Sequence, residues 1–299
     1  MDSAIDTLRS LIARHAGDGQ TPTGIARFSL TRREAVTGPV ARLIVPRMCL
    51  VVQGAKVMTI GGKAMEYGSG QYLLASVDVP AIDRVSQASR SEPYLGLLLD
   101  FDPAILAALL LDLPVLPQQG VASGLDIGAA EPELLDAFLR LVRLLDRPQD
   151  IALIAPLIER EILLRLLQGP HGTTLRQMAE LDSRLSQIRR ATAWIRENYA
   201  RSFRVEELAA RLGMSATSLH RHFKASTQMT PIQYQKQYRL YQARQRLLAA
   251  PGNAAGVAFA VGYESASQFS REYARLFGTP PARDARQLRN TFRLAPAGV

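Results

Sequence analysis

Two arginines carry the most informative chemistry of this 299-residue chain, because they recur in register. Arg221 and Arg271 stand 50 positions apart, each midway between an apolar residue and an aromatic one: Leu219 and Phe223 in the first case, Phe269 and Tyr273 in the second. A guanidinium can donate to O6 and N7 of one guanine together, so an outward arginine on a helix in a major groove can read a base. At an offset of 49, Leu208, Ala209, Leu212 and Gly213 match Val257, Ala258, Val261 and Gly262, one extra residue in the turn accounting for the shift. Each unit reads as a helix whose alanine permits close approach, a glycine turn and a second helix, which is helix-turn-helix logic. Thr217, His220, Arg221 and Lys224 fall opposite the core side of the first recognition helix. Ser267, Ser270 and Arg271 do so on the second, with Gln268 at the margin. The arginines and hydroxyls are candidates for direct readout, whereas Lys224 is expected to meet phosphate.

Other chemistry is weaker. The four histidines are His15, His171, His220 and His222, and none lies in the β-rich stretch from Ala41 to Phe101. A metal site of the kind that barrel enzymes build from histidines is therefore not expected, nor is any catalytic residue or cofactor. His220 and His222 point about 200° apart on a helix and cannot share one ion; His220 is expected to face a groove and His222 the helix packing. Gly61-Gly62-Lys63 and Gly68-Ser69-Gly70 lack the spacing of a phosphate loop and read as hairpin turns. The single cysteine, Cys49, sits among Met48, Leu50 and Val51 and reads as a buried thiol. Trp194, with Ala191 and Ile195, is expected in a helix core.

Charge separates the chain into two parts. Residues 186–299 hold 18 Lys and Arg against 6 Asp and Glu, while residues 1–185 hold 18 against 21, so all of the net charge of +9 resides in the last third. A basic module behind a mildly acidic one fits a polyanion, and nucleic acid over a membrane surface. The longest apolar run, Ala104 to Leu111, falls far short of the roughly 18 residues of a membrane helix. Neither a span nor a signal peptide is expected, and one cysteine gives no internal disulfide, so the expected location is the cytoplasm.

The elements that must position these residues follow from periodicity. Short runs of Val, Ile, Leu and Tyr from Ala41 to Phe101, cut by glycine and proline, predict strands, with a two-residue hairpin at Gly61-Gly62. Asp102-Pro103 predicts a helix start. Glu131–Asp146 and Ile151–Leu167 carry apolar residues at one-face spacing and predict an antiparallel helical pair, which either closes the core of the N-terminal part or forms a homodimer seam. Gln168-Gly169-Pro170-His171-Gly172 reads as a helix stop. From Ser186 onward the sequence predicts seven helices: 186–199, 205–211, 216–227, 231–248, 253–261, 266–277 and about 283–290.

At this point the sequence resembles a family. The stretch from Ser186 to Phe292, through "LAARLGMSATSLHRHFK" and "VGYESASQFSREYARLFGTPP", resembles the C-terminal DNA-binding domain of AraC/XylS-type transcriptional regulators. "CLVVQGAK", "YGSGQYLLASVDVP" and "PYLGLLLDFDP" are similar to the cupin-like N-terminal domain of AraC-type regulators. The resemblance implies an α+β two-domain chain: an N-terminal cupin-like β-barrel with a helical dimerisation or linker section, and a C-terminal all-α domain with two helix-turn-helix units joined by a long helix at 231–248. It implies base contacts from Thr217, His220, Arg221, Ser267, Ser270 and Arg271. Gly256 departs from the family's bulkier residue and costs about 1 kcal/mol relative to alanine, which predicts a more mobile second unit.

The expected divisions are an N-terminal helix or arm at 1–24, a sensor barrel at 25–115, a helical section at 116–170, a linker at 171–185, the DNA-binding domain at 186–292 with units near 205–227 and 254–277, and a tail at 293–299. The expected function is a sequence-specific transcriptional regulator that binds double-stranded DNA in two adjacent major grooves, controlled by a small-molecule effector in the barrel. A homodimer and RNA polymerase are the further partners considered, with no membrane. Arg42, Arg47, Gln53, Tyr67, Gln71 and Tyr72 are the polar residues from which effector contacts could come, their facing undecided. The alternatives are a constitutive DNA-binding protein whose barrel only dimerises, and a cupin-type enzyme.

Overall fold

The computed structural model describes residues 2–113, 123–180, 183–249 and 254–294. Helix α1 (Asp2–His15) precedes nine strands: β1 (Gly19–Pro22), β2 (Phe28–Arg33), β3 (Val40–Ile44), β4 (Arg47–Gln53), β5 (Ala55–Ile60), β6 (Lys63–Gly68), β7 (Gln71–Ala75), β8 (Val79–Gln87) and β9 (Tyr94–Asp100). Helix α2 (Pro103–Asp112) and strand β10 (Leu125–Ala129) follow. The strands pair antiparallel in two sheets, β1-β2-β9-β4-β7-β10 and β3-β8-β5-β6, with a cavity between them. The strands extend beyond the stretch expected from Ala41 to Phe101, and β1 and β10 also fall outside the 25–115 expected for the barrel. β1 and β2 lie upstream and β10 downstream, because short polar strands such as Gly-Gln-Thr-Pro gain their partners from distant chain and carry no apolar run of their own.

Local signals hold where the backbone itself demanded them. Gly61 and Gly62 have φ of 59° and 86°, the left-handed pair that a two-residue hairpin between β5 and β6 needs. The Asp102 side chain accepts from the Ala104 amide at 2.9 Å and Pro103 opens α2.

A helical layer covers the larger sheet. Helix α3 (Pro132–Arg143) buries Leu134, Leu135, Phe138, Leu141 and Val142 on one stripe, and α4 (Pro148–Gln168) returns antiparallel to it. Arg27 makes a forked ion pair with the buried Glu159 of α4, at 2.9 and 2.8 Å, and so ties the β1–β2 loop to this layer. The segment expected as a linker at 171–185 contains helix α5 (Gly172–Ala179), which buries Leu175 and Met178 against its neighbours; a glycine-led start hid its helical face. Residues 181–182 of that expectation, the first residues of the expected 116–170 section up to 122, and 295–299 of the expected tail lie outside the described residues.

The basic third is helical throughout its described residues: α6 (Arg184–Glu197), α7 (Val205–Arg211), α8 (Ala216–Thr227), α9 (Pro231–Ala249), α10 (Ala254–Ala260), α11 (Ala266–Phe277) and α12 (Pro281–Leu294). Three of these have the expected bounds and the other four differ at their ends.

A candidate nucleic-acid interface and a sensor cavity

Helices α7 and α8 meet at Gly213, φ 65°, and α10 and α11 at Gly262, φ 91°. Each recognition helix is capped by a serine hydroxyl that accepts an amide two positions into the helix: Ser215 from Ser218 at 3.2 Å, and Ser265 from Gln268 at 3.3 Å. Burial of Leu219 and Phe223 fixes one side of α8, and burial of Phe269 and Tyr273 fixes one side of α11. The opposite sides are left free. Thr217, His220, Arg221 and Lys224 are exposed, as are Ser267, Gln268 and Arg271, while Ser270 is half-buried.

Three residues that the sequence reading did not single out for this role brace the two units, two of them by holding outward side chains. His222 is buried, and its Nε2 accepts from Arg221 Nη2 at 3.2 Å. Burial first, then the cations Arg221 and Arg184, lower the His222 pKa below 6.5, so the ring is a neutral acceptor at neutral pH. Fifty positions on, Glu272 does the equivalent for the second unit: it accepts from Gln268 Nε2 at 3.1 Å and from the Tyr263 hydroxyl at 2.8 Å, with Lys236 of α9 at 3.4 Å. Burial opposes its charge, but these hydrogen bonds outweigh it and hold the Glu272 pKa below the usual carboxylate value. Arg239 of α9 donates to the Tyr199 carbonyl at 2.6 Å and to the Gly262 carbonyl at 2.9 Å, thereby linking the chain after α6 to the turn of the second unit. The repeat itself was the available signal, since His222 matches Glu272 and Arg239 matches Arg289 in it.

The barrel presents a second candidate site. A cavity of about 80 Å³ lies between the sheets, lined by alternate residues of the strands as the pleat requires: Thr31 and Arg33, Arg42 and Ile44, Arg47 and Cys49, Lys56 and Met58, Asp83 and Val85. Of the six polar residues considered from sequence, Arg42, Arg47 and Tyr67 line it. The other three do not. Gln53 turns to the Pro93 carbonyl at 2.8 Å, Gln71 is exposed and accepts from the Gly68 amide at 3.0 Å, and Tyr72 packs edge-on against His171 with ring centroids 5.7 Å apart. Gln20, Thr31, Lys56, Asp83 and Tyr94 were missed, the first two because their strands were not read and the rest because alternation cannot be phased without the turns. Among the described residues, no cluster of three or more His, Cys, Asp or Glu could hold a metal ion.

Sensor and basic domains touch directly. Asp78, between β7 and β8, pairs with Arg196 of α6, and its carbonyl accepts from the Tyr234 hydroxyl of α9 at 2.8 Å. The Gly61 hairpin tip abuts Gln228 and Met229 beyond α8.

Residues 24–174 match the family model of the AraC-type transcriptional regulator N-terminus, and residues 208–287 match that of a helix-turn-helix domain. The chain is similar to the HTH-type transcriptional activator RhaS of Klebsiella pneumoniae, 35% identical over 111 residues, which are 37% of this chain and 38% of that one. The RhaS of Salmonella schwarzengrund is 31% identical over 161 residues, covering 53% of this chain and 56% of the relative. The matched part spans about half or less of these relatives' length. Among solved structures, apo ToxT from Vibrio cholerae superimposes with a TM-score of 0.54 at 10% identity, covering 88% of this chain and 98% of the other. Unsaturated fatty acid-bound wild-type ToxT gives 0.51 at 9% identity, covering 86% and 94%. At such identity the likeness concerns the fold, and the fold is the two-domain one seen here. No helix among the described residues is long and apolar enough to cross a membrane. With one family model spanning half of the chain and a second covering the doubled helix-turn-helix, this chain belongs to the AraC-type transcriptional regulators.

Proposed function

We propose that the protein is a sequence-specific DNA-binding regulator that reads two adjacent major grooves with α8 and α11 and responds to a small-molecule effector in the barrel. One observation carries this reading: two matched recognition helices each leave an arginine and neighbouring polar side chains exposed, on a domain that holds the whole positive excess of the chain. Thr217, His220, Arg221, Ser267, Gln268, Ser270 and Arg271 are the base-reading set, and Lys224 the phosphate contact. Because α9 joins the two units, their boxes should lie about one helical turn, roughly 10 base pairs, apart on one face. Footprinting on an operator with five base pairs inserted between the boxes tests it: binding should collapse to that of a single unit, and undiminished affinity overturns the bipartite reading.

The effector role is supported by the cavity and by the packing of α9 on β3 and β8, two of the strands that line it, and ToxT, whose fold this chain shares, has been solved with an unsaturated fatty acid bound. A regulator rather than an enzyme, acting in the cytoplasm, is the reading that this arrangement supports. As the RhaS relatives are named activators, RNA polymerase is the corresponding further partner.

A homodimer is supported by a specific surface. Leu153 and Leu157 on α4 are 77% and 64% exposed, and Leu111 at the end of α2 is 88% exposed. Arg160 of α4 pairs with Asp112, which brings the end of α2 to this helix. Such large apolar side chains on one helix face fit a second copy. Sedimentation of Leu153→Asp and Leu157→Asp variants should show monomers, and unchanged dimers would exclude this seam.

A further inference from the structure

The charges around the barrel cavity do not balance. Arg33 pairs with Asp18 at 3.1 Å and Arg47 with Asp100 at 2.8 Å, one carboxylate to each guanidinium. Arg42 and Lys56 share a single carboxylate, that of Asp83, at 3.2 and 2.7 Å. Asp83 is buried, and of its two cations the Lys56 side chain is 14% exposed and that of Arg42 44% exposed, so the cations exceed the carboxylate by one charge and Lys56 is the one shielded from water.

A second unmet need lies beside it. Tyr67 is the direct cross-strand partner of Lys56, so both side chains stand on the inner face of the β5–β6 pair. The Tyr67 hydroxyl is buried and finds no oxygen or nitrogen partner, only the Cys49 thiol, a weak acceptor, beside it. Burial first, and then the neighbouring Cys49, push the phenol well above its ordinary pKa, so it remains a donor. An excess of one positive charge around Asp83 and a buried hydroxyl donor beside Lys56 suit the same thing, an anionic acceptor.

Size narrows the class. At roughly 10 to 15 Å³ for each water-sized group, the cavity of about 80 Å³ has room for about five to eight such groups. A long acyl chain does not fit in that volume. Gln20, Thr31 and Thr37 add neutral polar groups to the wall, which suits a short polar body.

We propose that the cavity binds a small organic carboxylate of about five to eight heavy atoms, its oxygens received by the Lys56 ammonium and the Tyr67 hydroxyl, with Arg42 left to neutralise Asp83. This rests on the reading of the barrel as the effector site and names the chemistry of its ligand. Isothermal titration of the full chain with butyrate and with butanamide, which share shape and size and differ in charge, tests it at constant ionic strength. Butyrate should bind at least tenfold more tightly, and it should slow the alkylation of Cys49 by N-ethylmaleimide, which reports this site because Cys49 lines the cavity and is the single cysteine. Lys56→Met should abolish the preference for butyrate. Tyr67→Phe, which preserves shape, should weaken butyrate binding severalfold and leave butanamide unaffected. Equal affinity for the two probes, no binding of either, or a preference that persists in both variants overturns the carboxylate assignment. The effector reading stands or falls separately, on whether metabolites of any charge that protect Cys49 alter operator affinity.

Discussion

Leu208, Leu219, Phe223 and Met229 of the first helix-turn-helix unit belong to a buried cluster that continues without a break into the strands of the barrel. Val261, Phe269, Tyr273 and Phe277 of the second unit belong to a smaller separate cluster, completed by Leu240, Ala243 and Leu247 of α9. The two units match in sequence, yet they are held by different means. At the end of α8 the left-handed residue is Gln228, φ 60°, where the second unit has Gly278, φ 77°. A β-carbon at Gly61 would lie 2.5 Å from the Gln228 carbonyl oxygen, and one at Gly124 would overlap the Ser226 carbonyl oxygen. The first unit is thus gripped by the barrel through backbone contacts that leave no space for a methyl group.

The second unit holds itself together through a polar core. Arg244 of α9 makes a forked pair with Asp284 of α12 at 2.8 and 3.0 Å, the Tyr273 hydroxyl donates to the same carboxylate at 2.7 Å, and the guanidinium lies 4.6 Å from the Phe277 ring centroid. The barrel reaches this cluster through Ala41 of β3 and Ile82 of β8. Those two strands present Arg42 and Asp83 to the cavity at the next positions along the chain. The comparison teaches that the barrel packs directly on the first unit and reaches the core of the second beside α9.

The largest expected effect breaks the second unit alone. Asp284→Ala leaves Arg244 buried without its carboxylate and should cost about 3–5 kcal/mol. Amide exchange should then rise across α11 and α12 while α8 keeps its protection; equal loss in both units would mean that their cores are not separate. The converse experiment is Gly124→Ala, whose methyl must push the barrel from α8 at a cost of about 1–3 kcal/mol. Exchange near α8 and the β5–β6 hairpin should increase and α11 should remain as it was, and an unaltered α8 would show that this contact does not restrain the first unit.

Binding sharpens the comparison at a similar scale. Arg221→Ala and Arg271→Ala should each cost about 1–3 kcal/mol on a specific duplex by removing a bidentate base contact, with much less change on a scrambled one. Lys224→Ala should weaken both duplexes alike. Gel-shift titrations decide it, and a loss confined to one arginine would assign sequence reading to one unit.

The smallest effect separates the units by pH. His222 has a folded pKa below its ordinary 6.5, so its contribution to stability is complete above that value and is lost as pH falls through the folded pKa. Glu272, at the equivalent place, has a folded pKa below 4.5, so its contribution is complete above 4.5 and disappears at lower pH still. On acidification α8 should lose exchange protection before α11, and a His222→Gln variant should remove that order. Simultaneous loss in both wild-type units would refute the assignment.

The legible part of the fold is the part written in local repetition. Period and caps mark the helices of the basic domain, and Leu219 with Phe223 against Phe269 with Tyr273 phase both recognition helices, so their outward residues are legible in the sequence. The barrel was harder to phase. A strand such as Gly19–Pro22 has no apolar run, and its pairing with Phe28–Arg33 becomes visible only when the sheet is assembled.

By itself, the sequence determined the family, the doubled recognition unit, the basic last third and the glycine-turned hairpin, since each is carried by residue types and spacings within short stretches of the chain. Tertiary structure alone decided that Lys56, Arg42 and Asp83 meet in one cavity, that His222 and Glu272 hold the outward side chains, and that the barrel closes on the end of α8. The physical reason is that strand facing, charge balance and close backbone approach are set by partners far away in the chain, and an alternating strand gives no sign of which face those partners will cover.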